Sequence, residues 1–302
     1  MSPAIDPGVI SLKEITKAFP GVVANDRVSL DIVSGQVHCL LGENGAGKST
    51  LISILAGMQQ PDSGRIEVDG VAMAINSPKA AVDLGIGVVH QHSTLVPAFT
   101  VRENLMLGET GFRRAEKRAA ERLETLSDLL GADIDPKALA GDLGLGQQQQ
   151  VEIAKAMWKG SRLLVLDEPT SMLTPQAIES LAMSVAQIKA QGLAVVFVTH
   201  KLREAYSMGD CVTVLRGGRN AGFIDAEELA SYDESAAQSR ILAAMFGEDL
   251  RAAGDEAAEL AGATAARREG GYLDLATHPT RLELVDVTTK GRGNDVDVAG
   301  VS

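Results

Sequence analysis

Nine consecutive residues constrain this chain more than any others: Gly42-Glu43-Asn44-Gly45-Ala46-Gly47-Lys48-Ser49-Thr50. They complete the pattern GxxxxGK[ST]. A short, continuously apolar run at 37–41 precedes them and reads as a buried strand. Leu51, Ile52 and Leu55 follow at helical spacing and predict a helix over 49–58. A glycine-rich turn between buried strand and helix is the setting in which this pattern cradles phosphate, and the setting separates it from a chance loop. The glycines let backbone N–H groups converge on phosphate oxygens, while the helix N-terminus adds a favourable dipole. Lys48 is placed to neutralise β- and γ-phosphates, and the Ser49 hydroxyl to ligate Mg²⁺.

The rest of the chain repeats the strand–helix theme. Residues 10–17 alternate apolar and polar (Ile10, Leu12, then Ile15 after a slip), as half-buried strands do, and 28–32 repeat the pattern. Buried strands are expected at 162–167 and 193–199. A helix over 113–130 carries Leu123, Leu126 and Leu130 on one face, with Gly131 at its C-cap. Another over 147–159 carries Val151, Ala154 and Met157/Trp158 and stops at Gly160. Thr174 and Pro175 form an N-cap and first-turn pair. They open a helix with Ile178, Leu181, Val185 and Ile188 inward, which Gly192 ends. Buried strands alternating with amphipathic helices imply an α/β fold with a mainly parallel sheet.

Composition narrows the class. At 45% hydrophobic and 23% charged residues the chain is ordinary globular protein, and with aromatics at 3% its core must be aliphatic. The formal net charge of −12 argues against the broad basic surface of a nucleic-acid binder. Cys39 and Cys211, flanked by apolar residues, read as buried, inert thiols in a reducing compartment rather than a disulfide scaffold. No apolar run approaches the roughly 20 residues that span a bilayer. Residues 1–7 show no basic stretch followed by an apolar one, so a soluble, cytoplasmic chain is expected.

Composition shifts near Asp249. From there to Thr280 the chain is rich in Ala and Gly with few large apolar residues, as linkers are. Leu282-Glu283-Leu284-Val285-Asp286-Val287-Thr288 then lines up with Ile10-Ser11-Leu12-Lys13-Glu14-Ile15-Thr16. Any two half-buried strands look alike over seven residues. Val301-Ser302, falling where Val28-Ser29 falls after one inserted residue, favours a second copy. The expected organisation is a first domain at 8–248, a linker at 249–280, and at 281–302 the first strands of a second domain that stops before its own phosphate loop.

Two further motifs carry chemistry. Leu163-Leu164-Val165-Leu166-Asp167-Glu168 is a buried strand ending in two carboxylates. Beside a phosphate loop it reads as a Walker B element, in which Asp167 orients Mg²⁺ and Glu168 polarises the attacking water. Leu143-Gly144-Leu145-Gly146-Gln147 opens a helix and is either a plain capping loop or a helix N-terminus that binds a second nucleotide's γ-phosphate. His90-x-His92 has the look of a metal pair, but two ligands without a third rarely make a site, and none is assigned.

Phosphate loop, Gln91 at a strand end, glycine–glutamine loop, Asp167-Glu168 and His200, in that order, resemble the ATP-binding cassette (ABC) ATPase family over about residues 10–248. The resemblance implies a P-loop NTPase fold with an antiparallel β subdomain and a helical signature subdomain, binding ATP and Mg²⁺. It implies that Phe19 stacks on adenine and that residues 42–50 hold the phosphates. Gly144, Gly146 and Gln147 would contact the nucleotide of a partner cassette, because cassettes of the family pair head to tail. Ser49, Gln91 and Asp167 would serve the metal; Glu168, His200 and Gln91 would serve catalysis, and 171–175 would form the D-loop. Three positions depart from the family's usual residues: Gly144 for Ser, Gln150 for Arg and Thr174 for Asp. They bear on the partner's site, not on the one built from Lys48 and Glu168.

Within the family, residues 19–26, 91–108 and 168–176 look like the tandem-cassette ATPases of sugar and nucleoside importers. The implied role is an ATPase subunit lying on the inner face of the membrane, gripping a permease through the surface around Gln91. The implied partners are integral-membrane permease subunits, a substrate-binding protein and a second cassette, with no nucleic acid. Two other classes stand beside it: a soluble ABC ATPase acting on ribosomes or DNA, and a nucleotide-dependent regulatory module without turnover. A basic linker or a coiled-coil or zinc insertion would mark the first, and the linker here is short and acidic.

Overall fold

The computed structural model describes residues 9–108, 112–246, 287–289 and 298–301. The chain divides into two units, Met1–Ala261 and Gly262–Ser302, and the divide falls within the stretch expected to be linker.

The first unit is built on two sheets. β1 (Val9–Phe19) and β2 (Val22–Val33) form a long hairpin, and β4 (Ser63–Val68) and β5 (Val71–Met73) extend it into an antiparallel sheet of order β2-β1-β4-β5. The second sheet has order β10-β9-β3-β8-β7-β6. Its parallel members are β3 (Val37–Gly42), β6 (Ile86–Val89), β7 (Leu163–Asp167), β8 (Ala194–Thr199) and β9 (Cys211–Arg216). Only β10 (Arg219–Ile224) runs antiparallel, as an edge hairpin partner of β9.

Pleating divides the second sheet's side chains between two cores. Cys39, Leu41, Leu164, Leu166, Val195, Phe197, Val212 and Val214 face one cluster. Leu40, Leu163, Val165, Val196, Val198 and Leu215 face the other, which the antiparallel sheet completes with Leu12, Ile15, Val28 and Ile32. α1 (Lys48–Leu55) packs into that second cluster through Leu51, Ile52, Ile54 and Leu55. Helices α4 (Phe112–Leu130), α5 (Leu145–Met157), α6 (Pro175–Ala190), α7 (Leu202–Met208) and α9 (Glu234–Phe246) contribute to the first. Short helices α2 (Pro78–Asp83), α3 (Val101–Leu105) and α8 (Ala226–Ser231) fill the connections. The aliphatic core expected from composition is present, with Phe197 and Trp158 among its few aromatics. Both thiols are buried and free; burial raises each, with Cys211 pushed up to about 12.

Several boundaries differ from expectation. α1 ends at Leu55, not 58, because Gly57 turns left-handed (φ 69°) and Met58 N–H closes back on the Ser53 carbonyl. α5 begins at Leu145, not 147, so Gly146 and Gln147 lie within its first turn. Ile178 is only half buried, whereas Leu181, Val185 and Ile188 are fully inward. Gly131 behaves as expected: its φ of 59° lets Ala132 N–H reach the Ser127 carbonyl and end α4.

In the second unit, β11 (Val287–Thr289) pairs antiparallel with β12 (Val298–Val301) through Val287↔Val301 and Thr289↔Val298. β1 and β2 pair through Ile15↔Val28 and Lys17↔Asn25. The two registers are the same hairpin carried forward by one offset on the first strand and one residue more on the second. Residues 249–280 and 281–286 lie outside the described residues, as do 1–8, 247–248 and Ser302.

Candidate functional site

Parallel strands aim their carboxyl ends at one side of the sheet, where α/β proteins place ligands. Here β3 ends at Gly42, β6 at Val89, β7 at Asp167 and β8 at Thr199. The segments that follow these ends converge on a cavity of about 470 Å³, within the size range of small-molecule sites. Phe19, Asn44, Gly45, Ala46, Gly47, Lys48, Ser49, Thr50, Gln91, Glu168 and His200 all line it. Eleven residues expected from sequence thus meet at one place.

The phosphate loop is held from behind. Gly42 lies so close to the Leu215 carbonyl that a Cβ would meet it at 2.5 Å. Gly47 is left-handed (φ 99°) and sits against the Ala24 carbonyl. Its own carbonyl accepts from Asn25 Nδ2 at 3.1 Å, and Ala46 O accepts from Gly218 N–H at 3.2 Å. Asn25 is fully buried and its Oδ1 has no partner. Lys48, at the first position of α1, folds its ammonium back to donate to Gly42 O at 2.6 Å and Glu43 O at 3.0 Å. Burial pulls Lys48 below the usual lysine value, while Glu168, Asp167 and Glu43 act in the opposite direction.

Opposite the loop stands a polar triad. Glu168 adopts φ 47°, a left-handed conformation that non-glycine residues take uncommonly. Its N–H donates to Val198 O at 3.0 Å, which locks the strained residue to β8. One carboxylate oxygen lies 3.2 Å from His200 Nδ1, and the other accepts from Gln91 Nε2 at 3.4 Å. A carboxylate accepts only, so this bond assigns the proton to Nδ1 of His200. Neighbouring Asp167 ends β7 and is not among the residues that line the cavity. Burial, then the Glu168 charge, raise its pKa above the ordinary carboxylate value, against the pull of His90 and Lys48.

At the far end the cavity is apolar. Phe19 is 37% exposed rather than part of the core, paired across the hairpin tip with Val22, and Lys17 Nζ lies 5.8 Å from its ring centre. An aromatic face, a glycine cradle, a buried ammonium and the Glu168–His200–Gln91 triad in one cavity fit a nucleoside polyphosphate. The oxygens of Ser49, Gln91 and Asp167 are the hard donors Mg²⁺ takes. Among the described residues no cluster of three or more His, Cys, Asp or Glu could hold a metal by itself.

The structure does not bring Gly144, Gly146 and Gln147 to this cavity. They form the start of α5, with Gly144 and Gln147 exposed and Gly146 half-buried against Ala177; Gln147 Oε1 accepts from Gly144 N–H at 3.2 Å, so the side chain caps its own helix. Leu145, Gln148 and Gln149 of the same turn border a smaller hollow shared with Gln91, Ser171 and Met172. Two of the unusual positions have structural partners: Gln150 donates to Ser180 Oγ at 3.0 Å, and Thr174 caps α6.

Sequence reading missed four contributors. Val22 and Ala24 line the cavity, and Asn25 backs the loop. Glu204 of α7 accepts from Thr170 Oγ1 (2.6 Å), Thr199 Oγ1 (2.7 Å) and Lys201 Nζ (2.9 Å), tying the segments after β7 and β8 together. The one available signal was the pair of exposed valines beside the Gly21 turn, which an ordinary hairpin tip would not need.

Residues 25–171 match the family described as ABC transporter. The chain is 38% identical over 324 residues to a glucose import ATP-binding protein of Haloferax volcanii, across 97% of this chain and 58% of that protein. It is 44% identical over 224 residues to a nucleoside import ATP-binding protein of Lactococcus lactis, across 73% and 44%. Among solved structures, the ADP conformation of MJ1267, an ATP-binding cassette of an ABC transporter, is similar with a TM-score of 0.66 at 26% identity, covering 78% of this chain and 98% of that one. The chain spans about half the length of the curated relatives it matches.

Proposed function

The chain belongs to the ABC transporter family, and from that membership we propose that it binds and hydrolyses ATP as the ATP-binding subunit of an importer, for simple sugars or nucleosides. The observation that carries the catalytic reading is the convergence of Lys48, Gln91, Glu168 and His200 on one cavity. Adenine stacks on Phe19 and the polyphosphate runs along the amides of residues 45–50 toward Lys48. Glu168 accepts a proton from the water that attacks the γ-phosphorus, as the bond to the ADP oxygen breaks. His200, donating to Glu168, and Gln91, donating from the other side, orient that carboxylate. Lys48 and the loop amides stabilise the charge on the transferring phosphoryl oxygens. Ser49, Gln91 and Asp167 would hold Mg²⁺, which would supply neutralising charge to the β- and γ-phosphate oxygens.

The names of the relatives support transport. On that reading permease subunits span the membrane, a substrate-binding protein delivers the solute and this chain lies on the cytoplasmic face. Gly144, Gly146 and Gln147, at the start of α5 and apart from the Lys48 cavity, suit contact with the nucleotide of a second cassette. The repeated hairpin register supports an organisation of 8–248, a linker at 249–280 and the start of a second cassette at 281–302. Gly144, with no hydroxyl to offer a γ-phosphate, favours a weaker partner site.

ATP turnover of the chain against Lys48→Ala and Glu168→Gln tests the catalytic reading. Lys48→Ala is expected to lose nucleotide affinity. Glu168→Gln is expected to keep affinity and lose about 10²–10⁴-fold in turnover. ATP binding with no turnover that depends on Glu168 overturns the enzyme reading and leaves a regulatory module.

A further inference from the structure

Glu152 lies in the middle of α5, 6% exposed, and no step above uses it. Its carboxylate accepts four hydrogen bonds, all from the segment just after Gln91. Ser93 Oγ donates at 2.9 Å, Thr94 Oγ1 at 3.0 Å and Leu95 N–H at 3.1 Å, and Thr94 N–H donates as well. One turn on, Lys155 Nζ donates to Thr94 O at 2.9 Å and to Thr94 Oγ1 at 3.1 Å. A buried carboxylate satisfied by two backbone N–H groups and two hydroxyls is an expensive arrangement to break, since each donor would be left without its acceptor. Ser93 and Thr94 are exposed loop residues, and these bonds to α5, four of them to the Glu152 carboxylate, fix their path.

The same helix presents Gly144 and Gln147 at its N-terminus, two turns from Glu152. Gln91, two residues before Ser93, reaches Glu168. We propose that Glu152 is the positioning residue for Gln91: it fastens residues 93–95 to α5, so that Gln91 is held at Glu168. The inference rests on the ATPase reading for its effect on turnover, and on the hydrogen bonds alone for the fastening.

A double-mutant cycle on the full chain tests it. Glu152→Ala is expected to lower turnover about ten- to a hundredfold, as misplacement of a catalytic group by about an ångström does, with labelled ATP affinity changed less than about threefold. Gln91→Ala should lower turnover comparably, and the double variant no further than either alone. Glu152→Gln, which retains an acceptor for the Thr94 and Leu95 N–H groups, should recover most of the loss. Ser93→Ala with Thr94→Val removes two donors without touching α5 and should lower turnover several-fold, which covers the case of an unfolded Glu152→Ala. Additive losses at positions 152 and 91, or wild-type turnover in Glu152→Ala, overturn the proposal. A wild-type chain whose turnover ignores Glu168→Gln overturns the ATPase reading instead. In that event hydrogen exchange across residues 90–95 decides the fastening: ATP should alter it in wild type and not in Glu152→Ala, and equal responses overturn the proposal.

Discussion

Three glycines of the phosphate loop separate two costs that usually arrive together. At Gly45, φ is 83° and a Cβ would meet nothing within 4 Å, so Gly45→Ala carries only the backbone cost of a left-handed residue. That cost is about 1–2 kcal/mol. At Gly42 the backbone is not left-handed, but a Cβ would lie 2.5 Å from the Leu215 carbonyl, so Gly42→Ala carries only overpacking, about 1–3 kcal/mol. Gly47 combines both: φ is 99° and a Cβ would fall 2.2 Å from Ala24 O and 2.6 Å from Asn25 Nδ2. Asn25 cannot yield cheaply, since it is buried and already lacks a partner for Oδ1. Gly47→Ala should therefore cost about 2–5 kcal/mol and displace the loop, with nucleotide binding lost. Urea unfolding gives the stabilities, and fluorescence of a labelled ATP gives the affinities. Equal stability losses for Gly45→Ala and Gly47→Ala would refute the reasoning, because the packing of Gly47 against residues 24 and 25 would then contribute nothing.

Phe19→Ala should weaken ATP binding by the worth of one base–aromatic stack, about 1–3 kcal/mol, while leaving inorganic tripolyphosphate affinity and unfolding stability unchanged; equal losses for both ligands would place the ring away from the base. His38 supplies a pH test. Buried between Asp31 O, to which Nδ1–H donates, and Thr213 Oγ1, it is depressed by burial to about 4. Between that value and its ordinary 6.5 the unfolded chain binds a proton that the folded chain does not, so this group's contribution to stability is present above 6.5 and lost as pH falls toward 4. Urea unfolding at pH 7.5 and 4.5 should show wild type losing about 2–3 kcal/mol more than His38→Gln, and parallel losses would contradict the assignment.

What the sequence made legible was whatever depends on neighbours in the chain. The phosphate loop has fixed spacing and flanks, β7 and β8 are unbroken apolar runs, and Thr174-Pro175 is a local capping signal that the structure uses as expected. The antiparallel sheet was half visible. β1 and β2 alternate, but β5 is exposed throughout and β4 buries only Ile66 and Val68, so neither has a hydrophobic pattern to read. α1 is shorter than the helix expected over 49–58, because Ala56 and Met58 suit a helix and only the chain reversal at Gly57 stops it. At the site, the residues that touch the cavity were legible and those that hold them were not. Asn25, Glu152 and Glu204 act on partners far along the chain or from a helix face that looks solvated, and no spacing announces such a pairing.

The central claim is that residues 42–50, Gln91, Glu168 and His200 make one ATP-hydrolysing site. A crystal structure of Glu168→Gln with Mg²⁺ and ATP tests it most directly. Adenine is expected on Phe19, the β- and γ-phosphates on the amides of residues 45–50 with Lys48 Nζ turned from Gly42 O onto them, and the γ-phosphate facing residue 168 between Gln91 and His200. A triphosphate bound with its γ-phosphate directed away from residue 168, or nucleotide seated outside this cavity, would contradict it.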